Sequence, residues 1–266
     1  MDSPLVSIIT PTLNSDRFLK QCIESVLSQT YENIEHIFID GCSTDKTLQI
    51  LENYNLHYPD RIKYFSGKDK NVADAWNKGL DKANGQILGW LGADDLYRED
   101  AVSTVVDFFN NNLEAMFVYG ECFCINDNGN VISRFLTKEF DYKEAINDAC
   151  YISCTSAFYK RELVYRIGLM DITIPNTNDA EYWIRAGKYV KPHHLDKVLS
   201  YFRVREGSLS GSRNAEKLQA LEGYIINRRY KGNLLSPRVA RYLVYKYGEW
   251  MIPLVKPIWR KLRDEY

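Results

Sequence analysis

The sequence predicts an α/β fold: a mostly parallel, doubly wound sheet with flanking helices and a helical extension at the C-terminus. Three observations carry this. Short apolar runs at residues 5–10, 34–40, 62–65 and 86–91 alternate with amphipathic helical stretches, as repeated βαβ units do. The first run is apolar throughout rather than alternating, the pattern of a strand covered on both faces. Beyond Gly211 only helical periodicity remains, interrupted by Pro237, Pro253 and Pro257. The 266 residues, 45% of them hydrophobic, can bury a sizeable core. They exclude a disordered chain, a collagen-like repeat and a small disulfide scaffold.

Leu5–Thr10 is the first strand, and Pro11 is expected to end it. Ser15 or Asp16 caps a helix whose Leu19, Cys22, Ile23, Val26 and Leu27 recur at helical spacing. Ile34–Asp40 returns to strand, and Ser43 or Thr44 is expected to cap the next helix. Ile62–Phe65 is a third strand; Val72–Asn84 is helical, with Gly85 as its closing glycine. Gln86–Leu91 is a fourth strand. The remaining strands are expected at Met116–Ile125, Val131–Phe135, Cys150–Tyr159 and Lys197–Val204, and helices at Val102–Phe109, Lys160–Gly168 and Asp179–Tyr189. Asn126–Asn130 is a hairpin turn. With neither an internal repeat nor a low-complexity linker, residues 1–210 read as one domain. It divides into halves 1–98 and 99–210, and residues 211–266 are the helical tail.

In open α/β sheets, ligands sit beyond the carboxyl ends of the strands. Those ends carry Pro11-Thr12-Leu13-Asn14, Asp40-Gly41-Cys42-Ser43, Gly67-Lys68-Asp69 and Ala93-Asp94-Asp95. Neither a G-x-G-x-x-G turn nor a P-loop is present, which disfavours a plain dehydrogenase or NTPase. Adjacent carboxylates after a buried strand repel each other. They call for a counter-charge such as Mg²⁺ or Mn²⁺ held jointly with phosphate oxygens, or else for a solvated turn.

Leu5–Asn14 (LVSIITPTLN), Ile39–Thr47 (IDGCSTDKT), Asp74–Gly79 (DAWNKG) and Gly92–Asp95 (GADD) together resemble glycosyltransferase family 2, of GT-A fold. The resemblance implies transfer of a sugar from a nucleotide-diphosphate donor to an acceptor hydroxyl, with inversion at the anomeric carbon. It makes residues 1–98 the nucleotide-binding half and 99–210 the acceptor half, and places Pro11, Thr12, Leu13 and Asn14 along the nucleotide pocket, with Asp40 toward the base or ribose and Asp69 toward the base. Asp94 falls on the ribose and Asp95 on a Mn²⁺ or Mg²⁺ ion bridging the phosphates. The segment Asn178–Arg185 (NDAEYWIR) matches the family pattern around the general base, which implies that role for Asp179. Trp183, four residues on, suits stacking on the acceptor sugar or filling core. Glu181 and Arg185 are expected to be structural, an ion pair in the case of Arg185. Many relatives carry a His after the last strand; here Arg205 stands nearest and can bridge a diphosphate. His193 and His194 are expected to be loop bystanders.

Two rival functions remain open. A nucleotidyltransferase on a related scaffold would want a Gly-rich basic loop after the first strand, where Pro11-Thr12-Leu13-Asn14 stands. A non-catalytic glycan-binding module would lack one of the carboxylates Asp40, Asp94, Asp95 and Asp179.

The formal net charge of −1 argues against nucleic acid as partner and hides a division. Residues 1–227 sum to −8 and residues 228–266 to +7. Within 228–263, ten basic residues are interleaved with tyrosines and tryptophans and opposed only by Glu249. Such a segment suits either contact with an anionic membrane surface, near a glycan or lipid-linked acceptor, or a helical cap over the acceptor half. No 18-residue apolar run and no leader-like start are present, so the expected location is cytoplasmic, with peripheral attachment to the inner membrane face as an option. Six scattered cysteines read as reduced thiols.

Overall fold

The computed structural model describes residues 3–205 and 213–248. Strands β1 (Val6–Thr12), β2 (Ile34–Asp40), β3 (Ile62–Ser66) and β4 (Ile87–Trp90) pair in parallel, in the order β3-β2-β1-β4. Their connecting helices are α1 (Asp16–Leu27), α2 (Thr47–His57) and α3 (Val72–Lys82). Successive strand residues alternate between two cores. Ile9, Ile37, Ile39, Leu88 and Trp90 pack with Trp76 and Leu80 of α3. Val6, Ile8, Ile34 and Ile87 pack on the other face with Cys22 and Val26 of α1 and with α4 (Ala101–Asn111). Both faces are therefore covered, which explains why the first strand is mostly apolar and does not alternate with exposed polar residues.

Past β4 the sheet becomes mixed. Strand β8 (Ala157–Lys160) runs antiparallel to β4, and β6 (Phe117–Ile125) antiparallel to β8. Strand β9 (His193–Arg203) lies parallel to β6, and short β5 (Leu96–Tyr97) pairs antiparallel with β9. Strand β7 (Val131–Arg134) closes the expected hairpin with β6. Helices α5 (Tyr142–Asn147), α6 (Arg161–Ile167) and α7 (Asn178–Gly187) flank this half. The tail contributes α8 (Arg213–Arg229) and α9 (Pro237–Tyr247), with Pro237 in the first turn of α9, where its missing N–H costs nothing. Ile226 of α8 packs with Ala145, Ile146 and Ile184 of α5 and α7. No helix among the described residues is long and apolar enough to cross a membrane.

Several boundaries differ from expectation, each for a local reason. Strand β1 continues through Pro11 and Thr12. Ile9 O faces β4, accepting from Leu91 N at 3.1 Å, and Thr12 O faces β2, accepting from Gly41 N at 2.8 Å. Pro11 shares the parity of Ile9, so its missing donor lies beyond the end of β4's pairing and removes no ladder bond. Helix α2 starts at Thr47 because Ser43 and Thr44 bond to Asp40 and Asn14 instead. Gly85 does not close α3 in a left-handed conformation. It sits where a Cβ would lie 2.6 Å from Ser7 N and 2.7 Å from Leu5 O, so it permits close approach to β1. The expected strand at 150–159 shortens to β8, preceded by a single 3₁₀ turn at Cys154–Ser156. His193 and His194 belong to β9 rather than a loop, and His194 Nε2 bonds Glu121 Oε1 at 2.8 Å. Of the cysteines, all free, Cys42 is exposed.

Candidate active site

The carboxyl ends of β1, β2 and β3 meet around Asp40. This side chain is fully buried and accepts from Ser43 N (3.0 Å), Ser66 Oγ (2.7 Å), Thr12 Oγ1 (3.4 Å) and Ser43 Oγ. Its oxygens tie three strand ends together and shape the rim from within. Asn14, at φ 49°, extends the same tie: its N–H donates to Ser43 Oγ and its Oδ1 accepts from Thr44 N. Leu13 is exposed. Asp69 stands opposite, with Oδ2 at 3.3 Å from the position a Cβ on Gly41 would take, and Lys78 holds its Oδ1. Thr12, Leu13, Gly41 and Asp69 thus gather at one rim.

The turn after β4 separates its two aspartates. Asp94 faces a cavity of about 780 Å³, and its Oδ2 accepts from Arg205 Nε at 2.6 Å. Asp95 turns inward at 3% exposure, where Oδ1 accepts from Arg203 N at 2.8 Å. Burial, then the neighbouring Asp94 charge, push the Asp95 carboxyl well above the ordinary aspartate value; the Arg203 N–H and the charges of Arg203 and Arg205 oppose this. Asp94 is thus the carboxylate that lines the cavity, and Asp95 braces the turn from behind.

Arg203, at 1% exposure, makes that brace. Its guanidinium donates to Asp94 O (2.8 Å), Asn126 O (2.7 Å), Asp127 O (3.1 Å) and Gln21 Oε1 (2.8 Å), and lies 4.3 Å over the Phe18 ring. The β6–β7 turn and the aspartate turn are joined through this one side chain.

Across the cavity stands Asp179, in the first turn of α7, its Oδ1 accepting from Ala180 N at 2.7 Å. Burial raises its pKa and the Glu222 charge adds to the rise, while the N–H groups and Arg238 oppose it. A carboxylate raised in this way is a better proton acceptor than a solvated one. Trp183, one turn on, does not line the cavity. That ring is fully buried, 4.8 Å from Phe117 and 5.7 Å from Tyr159, and so belongs to the core rather than to an acceptor subsite. Arg185 pairs with Glu181 at 2.8 Å, as a structural role requires.

The tail contributes to the wall through both its helices, with Glu216 and Gln219 from α8 and Arg241 and Arg238 from α9; the Nη2 of Arg238 donates to Ala145 O at 2.8 Å. Glu222, behind the wall, accepts from the residues that precede α7. Sequence reasoning missed Arg203, Glu222 and Arg238. Only Arg203 left a signal, a charge inside the apolar run of the last strand. Among the described residues no three His, Cys, Asp or Glu side chains converge as a metal site. The donor set fits a divalent cation that takes one carboxylate, Asp94, and fills its shell with phosphate and water oxygens.

The family model for glycosyl transferase family 2 matches residues 7–168, which span β1 through α6. The chain belongs to glycosyl transferase family 2. A PGL/p-HBAD biosynthesis glycosyltransferase of Mycobacterium bovis is 33% identical over 186 residues, covering 70% of each chain. The chondroitin synthase of Escherichia coli is 30% identical over 204 residues, 77% of this chain and 29% of the synthase. An uncharacterized glycosyltransferase of Rickettsia bellii is 26% identical over 250 residues, 90% of this chain and 36% of that protein. The chain thus spans well under half the length of the last two. Solved structures of similar fold include Staphylococcus aureus TarS 1–349 in complex with UDP (TM-score 0.66, 18% identity, 94% of this chain and 77% of that one). The mannosyltransferase PcManGT of Pyrobaculum calidifontis, in complex with GDP-Man and Mn²⁺, superposes with TM-score 0.67 at 17% identity, covering 96% and 74%. These two show that the fold is shared.

Proposed function

We propose that this chain moves a sugar from a nucleoside-diphosphate donor to an acceptor hydroxyl with inversion, Asp179 taking the acceptor proton. The observation that carries the proposal is one cavity with Asp94 and its Arg205 partner on one wall and a raised-pKa Asp179 on another. The fold neighbours bind UDP and GDP-Man, which supports a nucleotide-sugar donor.

Thr12, Leu13, Gly41 and Asp69 take the nucleoside, with Asp40 and Asn14 holding their loops in place. Asp94 and Arg205 take the diphosphate end. Asp94 would hold a Mn²⁺ or Mg²⁺ ion, and the chemistry such an ion supplies when bound is neutralisation of charge on the departing diphosphate. Arg205 supplies positive charge to the same oxygens from the protein itself. Displacement at the anomeric carbon requires the acceptor oxygen on the face opposite the leaving group, and its proton passes to Asp179. Residues 1–98 and 99–210 act as donor and acceptor halves. The described part of the basic tail supports the covering role: Arg238 and Arg241 bond to Ala145 and Asp148 rather than reaching outward. Of the membrane-contact candidates, Trp250 and Trp259 lie outside the described residues, as do residues 206–210 after Arg205. A glycan, free or lipid-linked, is the acceptor class this cavity would serve.

The test is Asp179→Asn, assayed with a panel including UDP-GlcNAc and GDP-Man. Turnover should fall by roughly 10²- to 10⁴-fold, the usual contribution of a general base, with nucleotide affinity unchanged. Retained turnover overturns the assignment.

A further inference from the structure

We propose that Glu222, on the C-terminal helix α8, is a positioning residue that sets the place of Asp179; this rests on Asp179 being the base. Helix α7 begins with an N-cap, Thr177, whose side chain does not cap its own helix. Its hydroxyl instead donates to Glu222 Oε2 at 2.9 Å, and its N–H donates to the same oxygen at 2.8 Å. Asn176 donates its N–H to Oε2 at 3.1 Å and its side-chain amide to Oε1 at 2.8 Å. Glu222 is 5% exposed and makes no ion pair among the described residues. Its charge is balanced by these donors and by the positive end of α7.

Free N–H groups at a helix start are usually met by a residue a few places away. Here the partner arrives 45 residues later, from a helix outside the span of the family match. Asp179 follows Thr177 by two positions, and Asn176, Thr177 and Asn178 themselves line the cavity. The carboxylate of Glu222 therefore fixes the chain at the point from which Asp179 projects. It also sets charge. The groups facing Asp179 are Glu222 from α8, Arg238 from α9, and Cys150 and Cys154 from the segment before β8. Glu222 is the negative one among them at neutral pH. It disfavours the ionised form of Asp179, so the base operates nearer neutrality.

The experiment compares Glu222→Gln, Thr177→Val and Asp179→Asn in the full chain, measuring kcat against pH, donor KM and thermal midpoint. Glu222→Gln should lower kcat roughly 10- to 100-fold, the effect of a misplaced catalytic group. Donor KM should stay within about twofold, because the lost interaction is not with the donor. The acid limb of kcat should move to lower pH, since Asp179 loses a neighbouring negative charge. Thr177→Val removes one donor but keeps the charge, so kcat should fall less and the acid limb should stay. If both variants keep wild-type kcat while Asp179→Asn is inactive, Glu222 has no positioning role. A fall in kcat without movement of the acid limb in Glu222→Gln removes the electrostatic half. Retained turnover in Asp179→Asn overturns the proposal together with the base assignment. Should Glu222→Gln fail to fold, Thr177→Val decides: wild-type kcat there refutes the positioning role.

Discussion

Replacing Arg203 by Lys keeps the charge and removes the fork. The guanidinium satisfies three backbone carbonyls and the Gln21 side chain, arranged around its plane at 2.7–3.1 Å. An ammonium offers three donors from a single point and cannot reach acceptors spread over a planar group. At least two of the four bonds should be lost. With hydrogen bonds to charged groups contributing about 1.5 kcal/mol each at the lower end, the expected loss of stability is about 3 kcal/mol. In a chain of this size that lowers Tm by roughly 6–12 °C. Urea unfolding followed by tryptophan fluorescence and far-UV circular dichroism measures the difference. Nucleotide affinity should also weaken, because the Asp94 carbonyl is released from its anchor. A loss below about 1 kcal/mol, within the range of an ordinary surface substitution, would refute the view that Arg203 braces the site.

Asp94→Asn should abolish the Mn²⁺ dependence of nucleotide binding, measured by calorimetric titration. Asp95→Asn should preserve it, since the amide oxygen can still accept from Arg203 N; the opposite pattern would return the metal to Asp95. His36 is buried and its pKa is pushed down to about 3, first by burial and then by the Arg61 charge. It stays neutral in the fold while the unfolded chain takes up a proton near pH 6.5. The sign follows: stability is whole above that value and lost progressively as pH falls toward 3, by about 2 kcal/mol between pH 7 and pH 5. Equal urea midpoints and slopes at the two pH values would contradict this. Gly79→Ala should destabilise despite a helix-propensity gain of about 1 kcal/mol. The new methyl would overlap Ile9 Cγ2, an overpacking cost of roughly 1–3 kcal/mol. A higher Tm in that variant would show that β1 yields more readily than its burial implies.

The donor half was legible because its strands are short, mostly apolar runs and its helices α1 and α3 strongly amphipathic, both local properties. Ile34–Asp40 is the plainest case: seven consecutive buried residues in the expected place. The second half was less legible. Strand β8 is four residues long and owes its existence to β4 and β6 on either side. Site residues divide in the same way. Sequence singled out Asp94, Asp95 and Asp179, two of which, Asp94 and Asp179, the structure sets on one cavity. It could not say which of two adjacent aspartates faces the cavity, because rotation at a turn is set by Arg203 more than a hundred residues away. The bonds that hold Asp40 were out of reach for a related reason: its acceptors are filled by Ser43 and Ser66, whose hydroxyls carry no sign of their targets. Glu222 and Arg238 left no trace because their partners are distant carbonyl and amide groups.

The cavity has two sources of wall. The side bearing Asp94 lies within residues 7–168, whereas Asp179, Glu216 and Arg238 lie beyond that span. A chain built this way can inherit its two halves at different rates. Substitution or exchange along α8 and α9 would redraw the space in front of Asp179 while leaving the β1–β4 framework, and whatever nucleotide it grips, undisturbed. Under the proposed function, new acceptors would arise by exchange of a C-terminal hairpin rather than by remodelling of the sheet.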